Sequence, residues 1–273
     1  MKKMIYAAIT VTLVLIAVIT NPRHLWDSHE RAPSPSGLAA AAAASATEQA
    51  QPSTSYAWCS AAAEGTWAQP GHWVVQNDAW SGGHGPQTVC ANSYRSWQAT
   101  SDQVAGNTAV ETYPDSQENF GPAANLPADP FSTYKAIFSS FSETMPSGPG
   151  ISAEAAYDVW WGNGWSDLTE MMIWVDTVNR SLAGGTPLGT AHISGQTFSV
   201  WRFGGSEYIF RLNHNETSGT VNIQASGLWL VQHGYMSASL GLTAVPFGFE
   251  ICSTGGTNKT FQVSSFSITA IQN

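Results

Sequence analysis

The clearest alternation in the chain runs from Thr169 to Asp176. Met171, Ile173 and Val175 take one set of alternate positions, and Glu170, Met172, Trp174 and Asp176 take the other. Successive side chains of a strand point to opposite faces, so this stretch predicts a strand with one wholly apolar face and one face that carries a carboxylate among large side chains. A second stretch, Pro246 to Gly256, repeats the arrangement. Phe247, Phe249 and Ile251 form its apolar face, while Gly248, Glu250 and Cys252 form the other. Gly248 places no side chain beside the carboxylate, which leaves room there for a ligand. Elsewhere short alternating runs, such as 72–76, 197–203, 207–211 and 260–268, are broken by Gly, Pro, Asn and Asp. Many short strands with frequent turn signals predict an all-β sandwich or barrel. The one helical candidate spans about 218–234, where Val221, Leu228, Leu230 and Val231 loosely follow a helical stripe.

Two isolated Glu residues, each opposite an apolar strand face, suggest a pair that the fold brings together. Glycosidic hydrolysis uses two carboxyl groups flanking one bond, one ionised and one protonated. Thr-Glu-Met-Met-Ile-Trp at 169–174 and Phe-Gly-Phe-Glu-Ile-Cys-Ser-Thr-Gly-Gly at 247–256, in this order and spacing, resemble the nucleophile and acid/base strands of glycoside hydrolase family 12, a family of endo-β-1,4-glucanases and relatives. The resemblance covers about 57–273. It implies a jelly roll of two packed antiparallel sheets with a concave substrate cleft and one helix outside. It also implies Glu170 as nucleophile and Glu250 as acid/base, about 5–5.5 Å apart as a retaining mechanism requires.

Other stretches extend the resemblance. Gln76-Asn77-Asp78-Ala79-Trp80 resembles the family's Asn-Asn-x-Trp, which implies that Trp80 stacks on a sugar and that Asp78 hydrogen-bonds in the cleft. Asp78 stands where the family has Asn, and so keeps an acceptor but loses a donor. Met172 and Trp174 share the face of Glu170 and are expected to line the same cleft. The run 156–165 reads as the hairpin partner of the Glu170 strand, turning at Asn163-Gly164. A two-residue loop would set Tyr157 opposite Glu170. A three-residue loop, Gly162 to Gly164, sets Asp158 on the face of Glu170, opposite Leu168. The family has an Asp that assists the nucleophile at this position, so the resemblance selects the second register. Gly184 to Gly189 resembles a family Pro-x-Gly loop and is expected to be a turn.

Composition narrows the setting. Only 11% of residues are charged and the net charge is −9, which excludes a nucleic-acid partner. The 12 Trp residues exceed what a core needs and suit a sugar-binding cleft. Met1-Lys2-Lys3 followed by an uncharged apolar run to Pro22 is a secretory signal, cleaved or kept as a membrane anchor. Residues 23–56, rich in Ala, Pro and Ser, have linker composition, so the catalytic domain is expected at 57–273. In an exported chain Cys59 and Cys90 should pair, a disulfide the family often has in this place. Cys252 is left as a free, space-filling thiol near Glu250. No His spacing suits a catalytic metal and no dinucleotide or nucleotide glycine pattern is present, so neither cofactor nor metal is expected. The predicted partner is a β-glucan and the predicted state a monomer. The expected activity is endo-hydrolysis of β-1,4-glucan, with xyloglucan or mixed-linkage glucan as the alternative. A non-catalytic carbohydrate-binding sandwich is the alternative of another class. A cell-surface sandwich unrelated to sugars would explain neither Glu.

Overall fold

The structure, a computed structural model, describes residues 55–163 and 168–273. The expected signal segment, most of the linker and the Gly164 end of the hairpin turn lie outside the described residues. Fifteen strands fill the described part: β1 Trp58–Ser60, β2 Thr66–Gln69, β3 Trp73–Gln76, β4 Gln87–Ser93, β5 Ser96–Ser101, β6 Asp115–Asn119, β7 Tyr134–Thr144, β8 Ile151–Gly162, β9 Thr169–Val178, β10 Thr186–Ile193, β11 Gln196–Phe203, β12 Glu207–Leu212, β13 Ser218–Asn222, β14 Gly241–Thr254 and β15 Lys259–Gln272, with one helix, α1 Ile223–Gln232. They form a six-stranded sheet, ordered β1-β4-β5-β15-β7-β13, and a nine-stranded sheet, ordered β10-β11-β12-β9-β8-β14-β6-β3-β2. Every ladder is antiparallel except β9 with β12, whose parallel pairing needs the excursion through β10 and β11. Two packed sheets of this kind are the expected jelly-roll sandwich.

The core lies between the sheets and is built by the period-2 rule. Ala153, Ala155, Tyr157, Val159 and Trp161 of β8, Met171, Ile173 and Val175 of β9, and Phe247, Phe249 and Ile251 of β14 all enter it. They meet Val89, Trp97, Ile137, Phe141, Phe261, Val263 and Phe266 of the smaller sheet. Edge-to-face and tilted ring contacts, such as Trp97 with Phe249 at 5.8 Å and Tyr157 with Phe247 at 4.6 Å, fill this layer. The alternate residues of β8, β9 and β14 point to the outer face of the large sheet.

Three expectations about elements change. The predicted helix begins later: Ser218–Asn222 is a strand paired to β7, and Asn222 caps the helix by accepting the Ala225 N–H at 2.9 Å. The run from Gly184 to Gly189 is a turn only at its start, since β10 begins at Thr186 and is bulged between Pro187 and Gly189. The alternation of β9 fails at its far end. Ala156 faces Trp174 but Ala155 faces Asp176, so Val175 is an extra residue. That bulge turns Asp176 into the inter-sheet layer instead of leaving it with Glu170. There it meets Glu143 of β7, whose carboxyl is pushed up to about 8 by burial and by the nearby Asp176. Burial also raises Asp176.

Candidate active site

The β8–β9 ladder pairs Trp160 with Glu170, Asp158 with Met172 and Ala156 with Trp174. Asp158 therefore shares the face of Glu170, as expected, but stands opposite Met172 and not Leu168. The connection is longer than three residues, because the last ladder pair is Trp161 with Thr169. Across the parallel ladder Glu207 stands beside Glu170, and the Glu170 N–H donates to the Ser206 carbonyl at 2.9 Å.

On the other flank of β8, the β8–β14 ladder pairs Ala244 with Trp160, Gly248 with Ala156 and Glu250 with Glu154. Glu250 thus lies on the same outer face as Glu170, two strands away. The level differs, however. Glu170 is level with Trp160 and Glu250 with Glu154, six residues further along β8, a rise of about 20 Å. The ladders thus place both carboxylates on one face and offset their backbone positions along β8.

The carboxylate level with Glu250 is Glu154, which is fully buried. It forms an ion pair with the Arg180 Nε, and its Oε1 accepts from Arg180 Nη2 at 3.0 Å. The same Nη2 stands 3.8 Å from Glu250 Oε2. Arg180 Nη1 donates to Cys252 Sγ at 2.8 Å and to the Thr108 carbonyl at 3.1 Å. The bulge of β14 between Ile251 and Ser253 turns Cys252 into this cluster. Cys252 is buried and unbridged, as expected, and burial, then the negative Glu154, push its thiol well above the usual range. The thiol therefore stays protonated and unreactive. Arg180 and Glu154 escaped the sequence reading, although two signals point to them. Glu154 is in phase with Asp158 on one strand, and Arg180 is the lone Lys or Arg between Lys135 and Arg202.

The other expected contacts divide. Trp80 is half-buried in the loop after β3, with its indole N–H buried and without a hydrogen-bond partner among the described residues. Asp78 is only 2% exposed and adopts a positive φ of 36°, a conformation Asp tolerates better than most residues. Its carbonyl accepts the Tyr113 N–H at 2.9 Å, so the Asp78 backbone shapes the loop. Met172 and Trp174 lie on the expected face but pack with Ala156, Leu182 and Ile209, and the Arg180 guanidinium covers the Trp174 ring at 5.4 Å. Gly248 has another cause than ligand access. A Cβ there would stand 2.1 Å from the Pro114 carbonyl oxygen, so it is the close approach of β6 that excludes a side chain. Cys59 and Cys90 are bonded and directly opposed on β1 and β4.

Comparisons with known proteins agree with this architecture. The family model described as Glycosyl hydrolase family 12 matches residues 71–270. Among solved structures, endo-1,4-β-glucanase CelB2, a cellulase, is 26% identical with a TM-score of 0.64, over 78% of this chain and 98% of that one. The xyloglucanase domain of NopAA from Sinorhizobium fredii, solved with cellobiose, is 24% identical with a TM-score of 0.64, over 78% and 99%. A family 12 xyloglucanase from Bacillus licheniformis shares the fold at 21% identity and a TM-score of 0.67, over 78% and 100%. With its two-sheet sandwich, its Glu-bearing strands on either side of β8 and a family match across most of its length, this chain belongs to glycoside hydrolase family 12.

Proposed function

We propose that the protein is an exported endo-glucanase that cleaves internal β-1,4 bonds of a β-glucan with retention of anomeric configuration. The observation that carries this reading is the pair of motif carboxylates, Glu170 and Glu250, on the outer face of one sheet in a family 12 chain. Glu250 acts as the acid that protonates the leaving oxygen and then as the base that activates water. Glu170 attacks the anomeric carbon, with Asp158 beside it on the same face to share a proton or hydrogen bond. Trp80, half-buried in the loop after β3, supplies a stacking surface for a sugar ring. Relatives of the fold include a cellulase and a xyloglucanase, and an unbranched β-1,4-glucan is the substrate we favour. Export is supported by the Lys2-Lys3 and apolar start of the chain and by the disulfide. A monomer is proposed with it.

A second carboxylate competes for the nucleophile's role. Glu154 is the carboxylate level with Glu250, although it would first have to leave Arg180. Azide separates the two. An activated aryl cellobioside is incubated with E170A or E154A and azide, and the product is identified. The variant lacking the nucleophile gives the α-cellobiosyl azide, because azide attacks from the vacated side while the aryl oxide leaves. That product from E170A supports the motif assignment, and from E154A alone it supports the register. Absence of reducing ends from barley glucan, xyloglucan and carboxymethylcellulose with the wild type would leave only a carbohydrate-binding sandwich.

A further inference from the structure

Beyond Trp174 the outer face of the large sheet carries a pocket of about 580 Å³, within the range of small-ligand sites, roughly 300–1,000 Å³. One wall is the Ser181–Gly185 segment, and the other is made by β11, β12 and the residues that follow. Trp201 lines it and is packed from behind by the cluster of Met172, Trp174 and Ile209, so its ring is held as a fixed platform. The chain has ten Lys and Arg residues in all, and two of them, Arg180 and Arg211, line this one pocket. Arg180 is committed to Glu154. Arg211 donates Nη2 to Thr177 Oγ1 at 3.2 Å and has no ion pair among the described residues. A half-buried guanidinium beside an indole, in a chain of net charge −9, is suited to an anion carried on a flat-faced ring. Its planar fork matches a carboxylate in a two-point hydrogen bond.

We propose that this pocket is a subsite for a carboxylate-bearing sugar, a uronic acid unit of the glycan, whose ring stacks on Trp201 and whose carboxylate is taken by Arg211. Neutral glucose units offer nothing for the charge of Arg211 to read. The proposal rests on the glycan-binding reading above and adds a charge preference to it. Calorimetry at low ionic strength tests it with β-1,4-linked glucuronosyl-glucose against cellobiose, on wild type, R211Q and R211K. The acidic disaccharide should bind the wild type about tenfold more tightly, a gap of about 1.4 kcal/mol. The ratio should fall to within about twofold of unity in R211Q and survive in part in R211K, with circular dichroism unchanged. Equal affinities in the wild type, or a ratio untouched by R211Q, would overturn the subsite. Reducing ends from neutral barley glucan are measured on the same wild-type sample. Hydrolysis without the charge preference removes the subsite alone, and the preference without hydrolysis removes the glucanase alone.

Discussion

The outer face of the large sheet offers two acidic neighbourhoods of different construction. Around Glu250 the charges form a buried network, in which Arg180 spans Glu154, Glu250 and Cys252 from a segment outside the sheet. Around Glu170 the carboxylates stand on adjacent strands, Glu207 level with Glu170 and Asp158 two residues along on β8. The first is held by a cation and by the close strand approach at Gly248. The second is placed by the ladders at the start of β9, beside a long hairpin connection. A carboxyl near other acids tends to keep its proton, whereas one near a guanidinium tends to lose it. The two neighbourhoods therefore differ in which carboxyl they suit to hold a proton and which to stay ionised.

The largest expected effect is on turnover. E250Q should lower kcat on glucan by about 10⁴-fold, with a smaller loss on an aryl glycoside whose leaving group needs no proton. If E170Q keeps near wild-type kcat while E154Q abolishes it, the motif assignment is lost and the network around Glu250 becomes the whole active site. Next is the stability of that network. R180M leaves Glu154 buried without its cation and should cost about 3–5 kcal/mol in urea denaturation, while R180M/E154Q should recover a large part. No recovery in the double variant would mean that Arg180 acts by packing on Trp174 and not by charge.

G248A should destabilise by about 2–3 kcal/mol through collision with the Pro114 carbonyl. A normal urea midpoint with impaired glucan binding would restore ligand access as the reason for that glycine. The smallest effect concerns the end of β9 nearest Glu250. Burial, then the nearby Asp176, push the Glu143 carboxyl up to about 8 in the folded chain, against 4.5 for the free group. The folded state therefore holds the proton that the unfolded state releases, and stability falls as pH rises from about 4.5 to about 8. E143Q should remove that slope and stabilise the protein by roughly 1–2 kcal/mol at pH 8, with little change at pH 4. Equal pH profiles for the variant and wild type would show that the Glu143–Asp176 contact carries no such linkage.

The faces of the strands were legible in the sequence because side-chain direction depends only on parity. Glu170, Asp158 and Glu250 do share one face, and Met171, Phe247 and Phe249 do fill the core. The levels were not legible. They depend on where the hairpin after Trp161 closes, on the extra residue at Val175 and on the bulge between Ile251 and Ser253. None of these leaves a mark in the alternation until the partner strand is known. Arg180 was missed for a related reason. It lies outside any strand, and its partners are 26 and 72 positions away. Gly248 was misread because it has a local backbone duty, a close strand approach, that imitates a functional signature.

The bridge between Cys59 and Cys90 has a consequence outside catalysis. β1 is three residues long and forms the rim of the small sheet, so its backbone hydrogen bonds alone hold it weakly. Reducing conditions would let it fray and bare the amides and carbonyls of β4, which is the kind of margin on which a second molecule can add a strand. The covalent link thus guards against self-association, and the protein should stay dispersed where thiols are oxidised and clump where they are not.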